Sequence, residues 1–282
     1  MQKLLIGLIG AGIQRSLSPA LQEEEARHHG LRLHYQLIDL DEAGASADDL
    51  AGLIAAARIM GYAGLNITYP CKQLVIPFLD ALSDDARAIG AVNTVVREGK
   101  HLVGHNTDGS GWGWALRRQL PDADLGCVVL LGAGGAGSAI AHEALRLGVA
   151  TLRIVDTDAD RAEALVERVN AIHGAGRAVA RADPESAMDG ATGLIHATPT
   201  GMKKLPGLPL PAALLRPSLW VSEVVYVPLQ TELLTAARRA GCATLDGGHM
   251  NVGQAVRGFR LFTGLDADPA RMEATFRSLV RG

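Results

Sequence analysis

The chain has 282 residues, of which 48% are hydrophobic and 20% are charged, and its formal net charge is −3 at pH 7. This length and composition are typical of a globular protein with two domains and a large buried core. The nearly balanced charge offers no electrostatic attraction to nucleic acid or to an anionic membrane, so we expect neither as a partner.

The N-terminal segment and the cysteines favour a cytoplasmic protein. Gly7 and Gly10 interrupt the first apolar run, which favours a β-strand over a signal peptide, and no apolar stretch is long enough to span a bilayer. The three scattered cysteines argue against a disulfide framework and against a C-x-x-C metal site, and the nine histidines lack ligand spacing. We therefore expect no bound metal.

The first third of the chain alternates between strand and helix patterns. Strands are predicted at residues 3–10, 33–40 and 64–68, and helices at residues 18–29 and 46–60. Ser18 and Pro19 form a typical helix start, Ser46 and Asp49 form a capping box, and Gly61 ends the second helix. This alternation predicts a parallel α/β arrangement.

The remaining elements extend the α/β pattern to the C-terminus. Short helices are predicted at 70–82 and 83–89, a hairpin at 92–97 and 101–103, and a helix at 109–120 that leads to a polar turn near the domain boundary. Strands follow at 127–131, 152–155, 177–180, 193–196, 220–224 and 243–246, with helices between most of them and a proline-rich, exposed loop after Thr198. The last helices are predicted at 247–264 and 268–280.

The predicted fold class is therefore α/β, with an N-terminal α/β domain over residues 1–108 and a Rossmann-type doubly wound domain over residues 109–246. Residues 247–282 are expected to form C-terminal helices that return to the first domain. The pattern does not distinguish a monomer from a homodimer.

A glycine-rich turn joins the strand at 127–131 to the following helix. Residues 128–137 read V-V-L-L-G-A-G-G-A-G, and Gly132, Gly134 and Gly137 fit G-x-G-x-x-G at this junction. Such a turn directs backbone N–H groups and a helix N-terminus at a pyrophosphate. The alternative is a glycine-rich turn of another α/β protein. The residues predicted to bind the dinucleotide are Gly132, Ala133, Gly134, Gly135, Ala136 and Gly137.

An acid after the next strand predicts which dinucleotide is bound. Asp156 follows Gly137 by 19 residues, a spacing that suits hydrogen bonds to the adenosine ribose. A 2′-phosphate would face Asp156, and two unit charges ~4 Å apart repel by about 4 kcal/mol at an effective dielectric constant of ~20. Arg161, also expected at the cofactor, does not cancel this repulsion alone. The prediction is NAD rather than NADP; the alternative is that Asp156 caps the next helix.

A bound nicotinamide implies hydride transfer, and an alcohol that loses hydride must also lose its hydroxyl proton. Taken singly, each polar residue at the strand ends and loops is better explained by a role in a cap or turn. Together they predict a site that can bind a small polyhydroxylated carboxylic acid. They are Ser16, Ser18, Asn66, Thr68, Lys72, Asn93, Asn106, Thr107, Asp108, Tyr226 and Gln254.

Four of these segments resemble signature segments of the shikimate dehydrogenases. They are S-L-S-P at 16–19, N-I-T-Y-P-C-K at 66–72, G-A-V-N-T at 90–94 and N-T-D-G at 106–109. The glycine loop, Tyr226 before Pro228 and Gln254 before Ala255 follow in matching order, so the resemblance covers nearly the whole chain. Asp156 makes the chain resemble the NAD-using quinate/shikimate dehydrogenase branch.

The resemblance implies reversible, NAD-dependent oxidation of shikimate or quinate to the 3-dehydro acid. It implies that Ser16 and Ser18 hold the substrate carboxylate, and that Tyr226 lies near the substrate or the nicotinamide. It assigns contacts with the ring hydroxyls to Asn66, Asn93, Asp108 and Gln254, and it places Thr68 with them in the pocket. Lys72 and Asp108 would form the catalytic pair, and either could act as the proton acceptor.

Two alternatives remain open at this stage. Gln22, Tyr69 and Cys71 depart from residues common in the family, and because they adjoin the pocket they leave the substrate open, including aminoshikimate. A regulator that binds the dinucleotide without catalysis is the alternative from another class, although a pure binder has no need of both Lys72 and Asp108.

Overall fold

The computed structural model describes residues 3–281, which divide into two compact α/β units. The first unit comprises the chain up to Thr107 and from Gln254 onward, and the second runs from Asp108 to Gly253. Each unit contains one six-stranded sheet. The predicted fold class is confirmed.

The first unit is built on a mixed sheet. Its elements are β1 (Lys3–Gly10), α1 (Ser18–His28), β2 (Arg32–Asp39), α2 (Leu40–Ala43), α3 (Leu50–Met60), β3 (Gly64–Ile67), α4 (Cys71–Leu74), β4 (Ala81–Leu82), α5 (Asp84–Ile89), β5 (Thr94–Glu98) and β6 (His101–His105). The strand order is β2-β1-β3-β5-β6-β4, in which β5 runs antiparallel to both of its neighbours. Every residue of β3 is buried, as is typical of a strand covered on both faces.

The second unit is a doubly wound, all-parallel sheet. Its elements are α6 (Asp108–Gln119), β7 (Cys127–Leu131), α7 (Gly135–Arg146), β8 (Thr151–Val155), α8 (Ala159–His173), β9 (Ala178–Ala180), α9 (Pro184–Met188), β10 (Gly193–His196), β11 (Trp220–Glu223), α10 (Glu232–Arg239) and β12 (Ala243–Leu245). The strand order is β12-β11-β10-β7-β8-β9. The chain adds strands toward one side of β7 and then, from β10 onward, toward the other side. In such sheets ligands bind at this switch point, at the carboxyl ends of the strands on either side of it.

The C-terminal helices are α11 (Gly247–Thr263) and α12 (Pro269–Arg281). In the first unit, Phe262 of α11 packs so closely on Gly64 that a Cβ atom there would lie 2.4 Å from the Phe262 ring. Arg271 of α12 donates two hydrogen bonds, of 2.8 and 2.7 Å, to the buried carboxylate of Glu25 on α1. These contacts hold the end of the chain on the first sheet and on α1.

Two predicted elements differ from the structure. The single helix predicted at 70–82 is wrong: α4 is followed by a 3₁₀ turn at Ile76–Phe78 and by strand β4. Pro77 lies inside the predicted helix, and proline both removes a helical N–H and clashes with the preceding turn. The helix predicted at 46–60 begins instead with a 3₁₀ turn at Ala47–Asp49, although its capping box is present, with the Ser46 N–H donating to Asp49 at 2.9 Å.

The compact units divide after Thr107 and after Gly253, whereas the predicted domains end at residues 108 and 246. The second division falls inside α11. None of the helices within residues 3–281 combines the length and the apolar character that crossing a bilayer requires.

Candidate active site

The predicted substrate-binding residues of the first unit lie at one edge of its sheet. Ser16 and Ser18 follow β1, Thr68 follows β3, and Asn93 precedes β5. The antiparallel register pairs Asn66 with Thr94, so the start of β5 meets the end of β3. Backbone hydrogen bonds join the connecting loops there, from Ala11 N to Tyr69 O at 2.9 Å and from Val92 N to Lys72 O at 2.8 Å.

The loop that carries the two serines is fixed by the buried carboxylate of Asp39. This carboxylate accepts hydrogen bonds from Gly12 N at 2.8 Å, Ile13 N at 2.9 Å and Gln14 Nε2 at 3.1 Å. It also accepts one from Asp41 N at 3.1 Å. Burial alone would raise the pKa of Asp39, but these hydrogen bonds outweigh it and hold the pKa below its usual value.

Helix α1 begins just after this loop without a side-chain cap. Leu17 occupies the N-cap position, and Ser16 Oγ accepts a hydrogen bond from Ser18 N at 3.3 Å. Both serines are half-buried. Two hydroxyls beside a helix N-terminus suit a carboxylate, because the helix dipole favours negative charge there.

Asn66 is held largely by other protein groups. Its Nδ2 donates to Asn93 O and to Thr94 Oγ1, both at 3.1 Å, and its Oδ1 accepts from Tyr35 at 2.7 Å. Because an amide has two N–H donors and an oxygen with two lone pairs, these contacts use both donors and one of the lone pairs. The contacts also fix the backbone that carries Asn93.

Asn93 in turn fixes the end of β6. Its Oδ1 accepts from Thr107 N at 2.8 Å, and its Nδ2 donates to Thr107 Oγ1 at 2.9 Å. Asn106 Nδ2 donates to Ala91 O at 3.0 Å. The chain is therefore held rigidly up to Thr107, directly before Asp108 begins α6.

Lys72 lies half-buried on α4, next to a fully buried cysteine. Burial raises the pKa of Cys71, so this thiol is packed and unreactive. Tyr69, the other departure at this edge, is 76% exposed. Lys72 belongs to the first unit and Asp108 to the second, and their catalytic pairing stays a prediction.

Gln254 is half-buried on α11 in the first unit. The carbonyl group of its neighbour, Ala255, accepts a hydrogen bond from Gln22 Nε2 at 3.0 Å. Gln22 lies four residues after Ser18 on α1, so this bond ties the segment of Gln254 to the beginning of α1.

In the second unit, the glycine loop forms a cradle at the start of α7. Gly132 has a φ of +102°, and a Cβ atom there would lie 2.7 Å from Ala197 O. A Cβ on Gly137 would lie 2.0 Å from Gly132 O, whereas one on Gly134 would meet no described protein atom within 4 Å. Gly132 and Gly137 are thus required by packing, and the open face of Gly134, the N-cap of α7, fits the approach of a pyrophosphate. Ala133, Gly135 and Ala136 complete this loop.

Asp156 is joined directly to the glycine loop. Its Oδ2 accepts a hydrogen bond from Ala133 N at 2.7 Å, and its Oδ1 accepts one from Asp158 N at 3.0 Å. Asp158 caps α8 by accepting from Arg161 N at 3.1 Å, so the alternative that Asp156 caps this helix is wrong. The exposed Arg161 guanidinium lies 3.8 Å from Asp156 and 3.3 Å from Asp158.

Tyr226 follows β11 in the second unit and is half-buried. Burial raises the pKa of its hydroxyl, so it is protonated near neutral pH and can donate a hydrogen bond.

Sequence reasoning missed a buried network close to this tyrosine, at the ends of β10 and β11. Glu223 Oε1 accepts from Val225 N at 3.0 Å and lies 2.9 Å from His196 Nδ1, and its Oε2 accepts from Thr231 Oγ1 at 2.9 Å. His196 Nε2 lies 2.5 Å from Thr198 Oγ1. We call His196, Thr198, Glu223, Val225 and Thr231 the Glu223 network. A sequence signal existed, because a histidine and a glutamate inside apolar strands need buried partners.

No group of three or more potential metal ligands occurs within residues 3–281. One sheet edge with hydroxyl, amide and lysine groups, together with a glycine cradle in a doubly wound unit, defines a dehydrogenase that uses a nicotinamide dinucleotide. Relatives identify the family more closely.

A model of the shikimate dehydrogenase substrate binding domain matches residues 8–95. A shikimate dehydrogenase (NADP⁺) from Streptomyces avermitilis is 56% identical over 98% of this chain and 96% of its own length. A quinate/shikimate dehydrogenase (NAD⁺) from Corynebacterium glutamicum is 46% identical over 98% of this chain and 99% of its own length. The chain belongs to the shikimate dehydrogenase family.

Solved structures agree with this assignment. The structure of quinate dehydrogenase from Corynebacterium glutamicum in complex with NAD superposes with a TM-score of 0.92 at 45% identity, covering 99% of this chain and 100% of that chain. A shikimate 5-dehydrogenase from Listeria monocytogenes, in complex with shikimate and NAD, has a TM-score of 0.86 at 33% identity and covers 96% of each chain.

Proposed function

We propose that the protein catalyses the reversible, NAD-dependent oxidation of shikimate or quinate to the 3-dehydro acid. The observation that carries the choice of NAD is the Asp156 carboxylate, bound at 2.7 Å to the backbone of the glycine loop. A 2′-phosphate on the adenosine ribose would meet the charges of Asp156 and Asp158 together. The names of the relatives differ in this respect, because the name of the Streptomyces avermitilis protein specifies NADP and that of the Corynebacterium glutamicum protein specifies NAD.

The first unit supplies the groups that bind the ring acid. Ser16 and Ser18 hold the substrate carboxylate at the start of α1, where the helix dipole adds to their hydroxyl groups. The groups that bind the ring hydroxyls are contributed by Asn66, Thr68, Asn93, Asp108 and Gln254. Tyr226 of the second unit donates a hydrogen bond near the substrate or the nicotinamide.

When it is bound, the nicotinamide accepts the hydride from the ring carbon, and the hydroxyl proton passes to the protein. A neutral lysine is required if Lys72 is the acceptor, whereas a nearby carboxylate favours the charged lysine. In this proposal Lys72 exchanges the proton, and Asp108 orients both Lys72 and the reacting hydroxyl.

Steady-state kinetics with shikimate, quinate and aminoshikimate, each with NAD and NADP, test the proposal. We expect kcat/KM to be much higher with NAD, and to be highest with shikimate or quinate. Equal use of both dinucleotides would contradict the assignment of NAD. A preference for aminoshikimate would mean that this compound, rather than shikimate or quinate, is the substrate. Binding without turnover would instead favour a regulator.

The variant Asp156→Ser tests the role of this carboxylate directly. It should shift the ratio of kcat/KM for NAD and NADP toward NADP by about one to two orders of magnitude, because it removes the charge that repels a 2′-phosphate. The matched control is Asp183→Ser, which removes the carboxylate that caps α9 in the same unit. A ratio that moves equally in both variants would contradict the proposal.

A further inference from the structure

The Glu223 network surrounds one short loop of the second unit, residues 198–201. His196 binds the first residue of this loop, since its Nε2 lies 2.5 Å from Thr198 Oγ1. Thr231 lies beside the last residue, because a Cβ on Gly201 would be in ordinary van der Waals contact with Thr231 Cβ, at 3.5 Å. The Glu223 carboxylate contacts both His196 and Thr231, so one buried group touches the neighbours of both ends of the loop.

This loop also borders the glycine cradle. A Cβ atom on Gly132 would lie 2.7 Å from Ala197 O and 3.0 Å from Thr198 Cγ2. Thr198 is therefore in the immediate neighbourhood of the backbone that fits the pyrophosphate. The same carboxylate accepts a hydrogen bond from Val225 N at 3.0 Å, directly before Tyr226.

The strand order indicates which half of the dinucleotide lies near Thr198. Asp156 follows β8, on one side of β7, and Thr198 follows β10, on the other side. In a doubly wound fold the pyrophosphate lies at the switch point and the two halves of the dinucleotide extend to opposite sides of it. If Asp156 binds the adenosine half, Thr198 lies on the nicotinamide side.

We propose that His196 and Glu223 are positioning residues that orient the Thr198 hydroxyl and its loop toward the nicotinamide half of the dinucleotide. This inference rests on the proposed binding of a nicotinamide dinucleotide. His196 Nδ1 donates to Glu223, so in the neutral ring Nε2 accepts the proton of the Thr198 hydroxyl. The Thr198 oxygen then accepts from Thr200 N at 3.3 Å and keeps a lone pair for the carboxamide or a ribose hydroxyl of the cofactor.

The burial of the network explains why this orientation is fixed. His196 and Glu223 side chains are both 0% exposed. A buried carboxylate without partners costs much more than an exposed one, and both oxygens of Glu223 have donors. Rotation of either side chain would break at least one of these hydrogen bonds, so the loop has one favoured arrangement.

The variant His196→Asn separates orientation from folding. The Asn amide nitrogen occupies the position of Nδ1, so the bond to Glu223 is kept while the bond to Thr198 is lost. We expect the dissociation constant for NADH to rise about tenfold, as is usual for one lost hydrogen bond of this kind, while that for ADP-ribose, which lacks the nicotinamide, stays unchanged. Fluorescence titration measures the first constant, and calorimetry measures the second.

His173→Asn is the matched control, because it removes a partly buried imidazole of the same unit, one that contacts His142. It should change neither constant. Thr198→Val should reproduce the effect of His196→Asn, and Thr198→Ser, which keeps the hydroxyl, should restore binding.

An unchanged NADH affinity in His196→Asn would overturn the proposal, as would an equal loss for NADH and ADP-ribose. These titrations need no ring acid, so a failure to turn over shikimate or quinate leaves them decisive. If the parent protein prefers NADPH, the same comparison uses NADPH and 2′-phospho-ADP-ribose.

Discussion

The two units use the same device to hold loops of different chemistry. In each, an aspartate at the carboxyl end of the second parallel strand binds the loop that follows the first one: Asp39 accepts hydrogen bonds from residues 12–14, and Asp156 accepts one from the glycine loop. The first loop displays hydroxyl side chains before α1 begins. The second consists of glycine and alanine and displays backbone N–H groups at the start of α7.

The two carboxylates differ in how many hydrogen bonds each accepts from protein donors. Asp39 accepts from three backbone N–H groups and from Gln14, and is only 5% exposed. Asp156 accepts from two backbone N–H groups and, at 3.5 Å, from the Thr157 hydroxyl, with the exposed Arg161 3.8 Å away. The first aspartate is therefore a structural anchor, and the second retains capacity for a ligand.

The largest effect is expected on kcat, when the proposed proton-transfer group of the first unit is removed and the second unit is left unchanged. Lys72→Met should lower kcat by about 10²- to 10⁴-fold, because a positioned proton-transfer group contributes that much. NADH affinity should stay at the parent value. Lys100→Met, at the exposed turn between β5 and β6, is the control. A kcat close to that of the parent, with only KM raised, would make Lys72 a binding residue.

The next largest effect is expected on the free energy of unfolding, when Asp39 is replaced. Asp39→Asn should lower the free energy of unfolding by about 1–3 kcal/mol at pH 7, since the amide leaves buried donors poorly matched. Asp156→Asn should lower it less. Urea unfolding measures both.

The difference in the free energy of unfolding between the parent protein and Asp39→Asn should depend on pH. Because the pKa of Asp39 is lowered in the folded protein, its contribution is complete above the usual value of about 3.9 and is lost as the pH falls through the lower folded value. Asparagine does not titrate. The difference between parent and Asp39→Asn should therefore shrink as the pH falls below about 4, and a difference that stays constant would contradict this role.

A smaller effect is expected from the open face of the second loop. Gly134→Ala places a methyl group where no described protein atom lies within 4 Å, so the melting temperature should not fall. Dinucleotide affinity should fall about tenfold, because the second glycine of the motif allows the backbone to approach the pyrophosphate. Gly52→Ala on α3, which is equally open, is the control. Unchanged NADH binding would show that the pyrophosphate lies elsewhere.

The smallest effect is expected at Arg161. Its side chain is 55% exposed, and exposed ion pairs contribute little. Arg161→Gln should raise KM for NAD by no more than about threefold. A much larger rise would mean that Arg161 binds the dinucleotide directly rather than through Asp156.

Local patterns predicted most of the fold because strand periodicity, helix starts and glycine stops act over a few residues. The segment at 70–82 failed for the same local reason: its apolar spacing suits a helix, but Pro77 ends any helix before it reaches β4. The glycine-rich turn was predictable because the close approach of Gly137 to Gly132 O lies within that turn, whereas the approach of Gly132 to Ala197 O is long-range.

The candidate site was harder to predict where contacts are long-range. The bond between Asp156 and Ala133 spans 23 residues, and the one between His196 and Glu223 spans 27. Periodicity carries no information about such pairs. The sequence shows only that polar groups occur in apolar strands, and not which partner each one has.

The order of the elements along the chain has a consequence for biosynthesis. The second unit is contiguous, whereas the first needs α12, whose Arg271 binds Glu25 across 246 residues. As the chain emerges from the ribosome, the sheet of the second unit is complete before the last helix of the first has been made. Closing a loop of this length is slow and opposed by chain entropy, so the unit that begins first is the one that finishes folding last.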